Sequence, residues 1–263
     1  MKKYKKQIVL IIFLLFLCLF YLFYFNKEGF TSSKSNDVIF ITLTNTGYLD
    51  YTFNCLKSLE KINFNGKLHN YCIGEEGYKK LKQSGYSSYL IDDNKNSKMQ
   101  KFRQKNWSNI VYYKFEIIHK HLLKYKYVCI TDGDIVYENK NFLNYLINNI
   151  GDNELLIQND TMDDNNTNNL CSGFMFIKST PNTISLFNPN NVKSKLKEGW
   201  GDQLYINEIK HKMKYKTLPL KLFPNGKYYY ENKNIISPYL IHFNWIVGNE
   251  KKNKMIEHNK WYI

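Results

Sequence analysis

Several absences narrow this chain before anything present does. Its 263 residues include only 5 cysteines and 5 prolines, and no two cysteines stand at CxxC spacing, which argues against a zinc site. Arginine is almost missing. Lysine and arginine together number 37 against 23 acidic residues, a formal charge of +14, but the lysines are scattered among asparagines, with no arginine-rich stripe and no nucleic-acid-binding signature. Nucleic acid is therefore not an expected partner, and the excess reads as compositional bias that would still favour an anionic substrate. There is no internal repeat, and no second domain separates in the globular part.

One long apolar run is present, Ile8 to Phe25. At 1.5 Å per residue it spans about 27 Å, close to the hydrocarbon thickness of a secretory-pathway membrane. Lys2, Lys3, Lys5 and Lys6 precede it, whereas Lys27 is followed at once by Glu28, so the positive-inside rule keeps the N-terminus cytoplasmic. A cleaved signal peptide is the alternative, but Asn26 to Gly29 offers no small-residue cleavage site. The expected organisation is a cytoplasmic tail (1–7), a transmembrane signal-anchor (8–25), a tether (26–36) and a globular domain (37–263). This predicts a single-pass type II membrane protein of the Golgi or endoplasmic reticulum with a lumenal domain. Disulfides among Cys55, Cys72, Cys129 and Cys171 are permitted there, and the sequons at Asn106, Asn159 and Asn165, read as loop or helix-boundary positions, are compatible with it.

Beyond residue 36, strands and helices alternate. Strands are expected at 38–42, 69–73, 88–91, 127–131, 155–158 and 172–177, and helices at 49–62, 75–83, from Ser108 to Leu122, 141–149, 181–187 and 202–210. Such alternation calls for an α/β fold with a mainly parallel sheet flanked by helices. In the tail, 218–223, 227–230 and 240–243 read as strands and 250–258 as a closing helix. The chain is organised around Val128 to Tyr137, where an apolar, β-branched run ends in Asp132-Gly133-Asp134. A buried strand there delivers both acids to its carboxyl end, where open α/β sheets place their ligands. Paired hard oxygen ligands suit Mg²⁺ or Mn²⁺, which can bridge the phosphates of a nucleotide diphosphate. The plainer alternative is an Asp-Gly turn.

Five segments carry a resemblance, in this order: TNTGYLDYTFNCLKSLEK (44–61), ITDGDIVY (130–137), CSGFMFIKST (171–180), GDQLYIN (201–207) and IHFNWIVGNEKK (241–252). From Val38 to Tyr262 the chain resembles the GT-A nucleotide-sugar transferases. It is most similar to the nucleotide-diphospho-sugar transferases that include plant cell-wall xylosyl- and arabinosyltransferases, and more distantly to the glycogenin and lipopolysaccharide galactosyltransferase group. The resemblance implies a Rossmann-like GT-A fold in which Asp132, Asp134 and His242 hold Mn²⁺ (or Mg²⁺), with Asp132 also near the ribose. It implies that Asp202 and Gln203 face the donor sugar beside a turn at Ser172 and Gly173. Gly248 and Lys251, or the neighbouring Lys252, would meet the pyrophosphate, although the spacing from His242 to Gly248 is wider here than in the distant group. Thr44 and Asn45 would bind the nucleoside, with Tyr48 placed to stack on the base. Arg103 and Lys114 are candidate phosphate or base contacts.

Each position also has a structural reading: a core histidine at His242, a helix cap at Asp202, a β-bulge at Ser172 and Gly173, and surface charge at Arg103 and Lys114. The function expected is metal-dependent transfer of a sugar from a UDP-sugar donor to a glycan or glycoprotein hydroxyl, with retention of configuration. The alternatives are a non-catalytic membrane-tethered module of the same fold, or a metal-dependent phosphodiesterase or nucleotidyltransferase, which would need a further carboxylate cluster for a second metal.

Overall fold

Residues 37–98, 107–195 and 201–263 are described in the computed structural model. The apolar run 8–25, the tether 26–36, Arg103 and the Asn106 sequon lie outside the described residues. Two compact units divide the chain, Met1–Val38 and Ile39–Ile263, and the fold below is that of the second. Among the described residues no helix is long and apolar enough to cross a membrane.

A seven-stranded sheet forms the centre, in the order β3-β2-β1-β4-β7-β6-β8. β1 (Val38–Asn45), β2 (Leu68–Ile73) and β3 (Ser88–Ile91) run parallel. β4 (Tyr127–Thr131) ends just before the two acids, as the sequence predicts, and it occupies the middle of the order, so they leave the sheet at its centre. β7 (Leu170–Lys178) reverses direction, pairing antiparallel with both β4 and β6 (Leu155–Asn159), while β8 (Tyr215–Leu218) is parallel to β6. A second, two-stranded sheet pairs β5 (Ile135–Tyr137) with β9 (Leu240–His242).

Helices α1 (Leu49–Lys61), α2 (Glu75–Gln83) and α3 (Trp107–Leu122) connect the first strands. α3 packs Val111, Phe115, Ile118 and Leu122 against Val128 and Ile130 of β4, and burying one such side chain contributes about 1.5–3 kcal/mol. It is described from Trp107 onward, so Ser108 stands within the helix. α4 (Phe142–Asn149), α5 (Pro181–Leu186), α6 (Pro189–Lys193) and α7 (Asp202–Ile209) follow.

The tail departs from its expected strands. Residues 227–230 lie in α8 (Gly226–Asn232), because the Asn225 side chain accepts from the Tyr228 amide and starts a helix. The strand expected at 218–223 is displaced to β8, and the chain turns at Pro219, whose carbonyl accepts from the Leu222 and Phe223 amides. α9 (Asn249–Glu257) closes the fold over a smaller core of Tyr51, Val136, Tyr229, Ile241, Phe243 and Met255. Cys55, Cys72, Cys129 and Cys171 are free, buried thiols. Asn159 is fully buried at the end of β6, its amide donating to the Asp163 and Asn166 carbonyls, which closes that sequon to modification in the folded chain. It is not the loop position the sequence suggests; Asn165 is exposed.

Candidate active site

Two strand pairings bring distant residues onto Asp132 and Asp134. In the β5–β9 ladder Ile135 stands opposite His242, and the Phe243 amide donates to the Asp134 carbonyl at 3.1 Å. In the β4–β7 ladder Thr131 stands opposite Phe174, and the Asp132 amide donates to the Gly173 carbonyl at 2.7 Å. Asp132, Asp134 and His242 are thereby gathered so that one ligand atom from each lies within 4.8 Å of the others. Two glycines make the approach feasible. A Cβ on Gly133 would stand 2.7 Å from Thr52 Oγ1 of α1, and one on Gly173 would stand 2.2 Å from His242 Cε1 and 2.9 Å from Asp132 Oδ2. Gly173 thus lies against Asp132 and His242, where the backbone itself is the wall.

The donor set fits a divalent cation. Gln158, fully buried, donates its amide nitrogen to the Phe223 and Pro224 carbonyls at 3.1 and 2.8 Å, so its oxygen must face His242 Nδ1, 2.8 Å away. That contact places the proton on Nδ1 and aims Nε2 at Asp134 Oδ1, 3.3 Å off, an outer hydrogen bond of the kind that fixes metal-ligating histidines. Burial alone would depress the His242 pKa, but the adjacent Cys171 sulfur and Asp134 carboxylate raise it well above its ordinary value. To hold a cation, His242 would have to give up the proton on Nε2. Imidazole with two carboxylates suits Mn²⁺ better than Mg²⁺. Asp132, whose side chain is 40% exposed, presents an open face, whereas the Asp134 side chain is only 5% exposed.

Each aspartate also meets a lysine. Lys114, reaching from α3, donates to Asp132 Oδ1 at 2.9 Å, to Asp202 Oδ2 at 2.6 Å and to the Ser172 carbonyl at 2.9 Å. It is buried, so the surface-charge reading does not hold. Burial opposes its charge, but Asp132 and Asp202 outweigh that and raise its pKa. Burial likewise pushes Asp202 up, and Lys114 more than reverses this, holding the carboxyl below its usual value. Asp202 is not the helix cap: Gly201 occupies that position, and Asp202 stands in the first turn of α7 with its carboxylate given to Lys114. On the other side, Lys251 of α9 contacts Asp134 Oδ2 and donates to the Tyr48 hydroxyl at 2.8 Å. Burial raises the Asp134 pKa, but Lys251 and His242 dominate and hold it well below the carboxylate range.

The remaining expected residues lie around this centre. Tyr48 places its ring 4.6 Å from that of Tyr51 and donates its hydroxyl to Asp134 at 3.2 Å. Thr44 accepts from Thr52 at 2.7 Å, and Asn45 caps the turn that follows β1 while donating to the Asn96 and Lys98 carbonyls. The structure thus gives all three partners within the protein. Gly248 precedes α9 and accepts from the Tyr51 hydroxyl. The Gln203 amide donates to Asp160 Oδ2 at 2.9 Å and Asn169 Oδ1 at 3.1 Å, and not to Asp132, Asp134 or His242. Gln158 and Asp160 are absent from the sequence-based set. Their signal is a polar run, Gln158-Asn159-Asp160, directly after the apolar residues Leu155 to Ile157 of β6, much as Asp132 follows the apolar residues of β4.

Carboxylates, an imidazole and two lysines are thus gathered at the carboxyl end of the central strand of the sheet. The model of the nucleotide-diphospho-sugar transferase family matches residues 72–256, and the chain belongs to that family. A curated relative is the UDP-galactose:fucoside alpha-3-galactosyltransferase of Dictyostelium discoideum, 28% identical over 292 residues covering 88% of this chain and 44% of the relative. The chain therefore spans less than half the length of that relative. The same fold is seen in the galactosyltransferase LgtC bound to donor and acceptor sugar analogues (TM-score 0.54, 14% identity, 78% of this chain and 86% of that one). It is seen again in mouse xyloside xylosyltransferase 1 (TM-score 0.52, 14% identity, 79% and 98%).

Proposed function

We propose that this glycosyltransferase moves a sugar from a UDP-sugar to a glycan or glycoprotein hydroxyl, assisted by a divalent cation and with retention of configuration. The observation that carries the proposal is the convergence of Asp132, Asp134 and His242 beside the Lys114–Asp202 pair. A bound Mn²⁺ or Mg²⁺ supplies Lewis-acid stabilisation of the charge that develops on the departing diphosphate. Asp132 and Asp134 present the oxygens that would hold it, and His242 the nitrogen. Lys251, near Asp134, is within reach of the same developing charge and would add to its stabilisation.

The transfer breaks the bond from the anomeric carbon to the diphosphate oxygen and forms one to the acceptor oxygen, whose proton passes to the departing phosphate. Two routes retain configuration: attack by Asp202 to form a covalent intermediate, or attack by the acceptor on the face that the diphosphate leaves. The second is favoured, because Asp202 shares its charge with a buried lysine at 2.6 Å, which weakens it as a nucleophile and suits it to hold the sugar. UDP-galactose is the first donor to test, being named for the relative. The run Ile8–Phe25 supports anchorage in a secretory-pathway membrane with this domain in the lumen.

The test is nucleotide release by the full chain from a panel of UDP- and GDP-sugars, with and without Mn²⁺, beside Asp134→Ala. Metal-dependent release from a UDP-sugar, lost in the variant, is the expected result. Release that ignores metal and survives Asp134→Ala would refute it. A phosphodiesterase reading is less favoured, since among the described residues Asp132, Asp134 and His242 form the one group able to hold a metal.

A further inference from the structure

The loop between β9 and α9 carries an unusual residue. Trp245 has a φ of +67°, a left-handed backbone that a bulky side chain adopts only at a cost in strain. It is nevertheless 56% exposed, and Val247 beside it is 70% exposed. Strain that leaves a large aromatic ring in solvent does not serve the core. The indole is nonetheless fixed: its Nε1 donates to Asp160 Oδ1 at 2.9 Å, and the Lys227 ammonium lies 5.7 Å from the ring centroid.

Asp160 is the hub of this arrangement. The residue is 8% exposed. Oδ1 accepts from Asn244 at 2.9 Å as well as from Trp245, and Oδ2 accepts from Asn169 at 3.1 Å and from Gln203 at 2.9 Å. One carboxylate therefore ties the loop that follows His242 to Gln203, next to Asp202. Asn244 is held in turn by the Gly226 amide, which donates to its side-chain oxygen at 2.6 Å. A pyranose has a face of C–H groups that packs on an aromatic ring, while its hydroxyls reach for polar partners at the ring edge. Pockets for such ligands combine aromatic surface with a few placed polar groups.

We propose that Trp245 is the platform on which the acceptor glycoside lies, and that Asp160 is a positioning residue that sets this platform against the donor sugar by holding Trp245 and Gln203 together. The inference rests on the glycosyltransferase reading of the site. It assigns acceptor recognition to a loop whose backbone is strained to expose one ring.

The experiment uses the full chain with Mn²⁺ and the UDP-sugar it hydrolyses. Transfer to methyl glycosides, methyl α-fucoside and methyl β-galactoside among them, is measured against hydrolysis of the same donor. The ratio of transfer to hydrolysis is expected to fall at least tenfold in Trp245→Gly. That variant relieves the positive φ, so its melting temperature should stay within a few degrees of the wild type. Trp245→Phe keeps a ring and should recover most of the ratio, with a raised acceptor KM because the bond to Asp160 is gone. Asp160→Asn should raise the acceptor KM and also slow donor hydrolysis, because it loosens both Trp245 and Gln203. An unchanged ratio in Trp245→Gly overturns the proposal, as does a wild type that hydrolyses its donor while no glycoside in the panel competes with water. A wild type that hydrolyses no nucleotide sugar and transfers none overturns the underlying functional reading instead.

Discussion

Lys114 and Lys251 are both buried amines, 5% and 8% exposed, and each faces one aspartate of the central pair, yet they hold it differently. Lys114 comes from the long helix under the sheet and is shared between two carboxylates and a carbonyl. Lys251 comes from the closing helix and meets one carboxylate and one phenol. The aspartate on Lys114 is open and the aspartate on Lys251 is sealed: their side chains are 40% and 5% exposed. The Lys114 side of the site is thus shared among α3, α7 and the end of β4, while the Lys251 side is closed by the last helix of the fold. Loss of charge should therefore cost the fold more on the first side than on the second.

Lys114→Met is the sharpest way to break that contrast. It strands Asp132 and Asp202 without their shared cation, and removing one partner of a buried pair costs about 3–5 kcal/mol. Turnover should fall by about 10²–10³-fold, as when a preorganised electrostatic contact is lost. Urea unfolding and nucleotide release measure the two effects, and Lys251→Met should retain clearly more stability than Lys114→Met. Equal destabilisation would erase the distinction between the two ends. Gln158→Leu comes next. It removes the acceptor that fixes the His242 tautomer, and outer-shell losses of this kind lower metal affinity by about 10–100-fold. Titration calorimetry with Mn²⁺ and UDP reads it, with no change as the opposing result.

Much of this division was legible in the sequence. Asp132 and Asp134 announce themselves because an apolar strand must end somewhere, and two acids at that end have no structural use that a single turn residue would not serve. The Val111, Phe115, Ile118 and Leu122 stripe also gave α3. Lys114 lies on that same helix, but nothing in one dimension tells that its amine points at Asp202, 88 residues on. The helix at 226–232 was hidden because Tyr228, Tyr229 and Tyr230 have strand propensity, which the Asn225 cap overrides. The reversal of β7 and the bonds of Gln158 and Asp160 depend on which strands become neighbours, and periodicity carries no such information.

The smallest effect belongs to a histidine outside the candidate site and serves as a control. His121 is buried with its Nε2 2.6 Å from the Tyr71 hydroxyl. Burial, with Lys120, His69 and Lys124 nearby, lowers its pKa from 6.5 to about 4. The unfolded chain takes up the proton first, so this contribution to stability is complete above about pH 6.5 and is lost as the pH falls toward 4. His121→Gln should flatten that part of the melting profile and leave nucleotide release at neutral pH unaltered. A profile that keeps its acid slope in the variant would assign the slope elsewhere.

The most direct measurement is the melting temperature of the full chain with Mn²⁺, with UDP and with both, for the wild type and for His242→Ala. If Asp132, Asp134 and His242 form one cation site completed by a nucleotide diphosphate, Mn²⁺ and UDP together raise the wild-type value well beyond either alone, and the variant loses the joint effect. A joint rise of the same size in the variant, or none in the wild type, would contradict a metal-bound diphosphate at this centre.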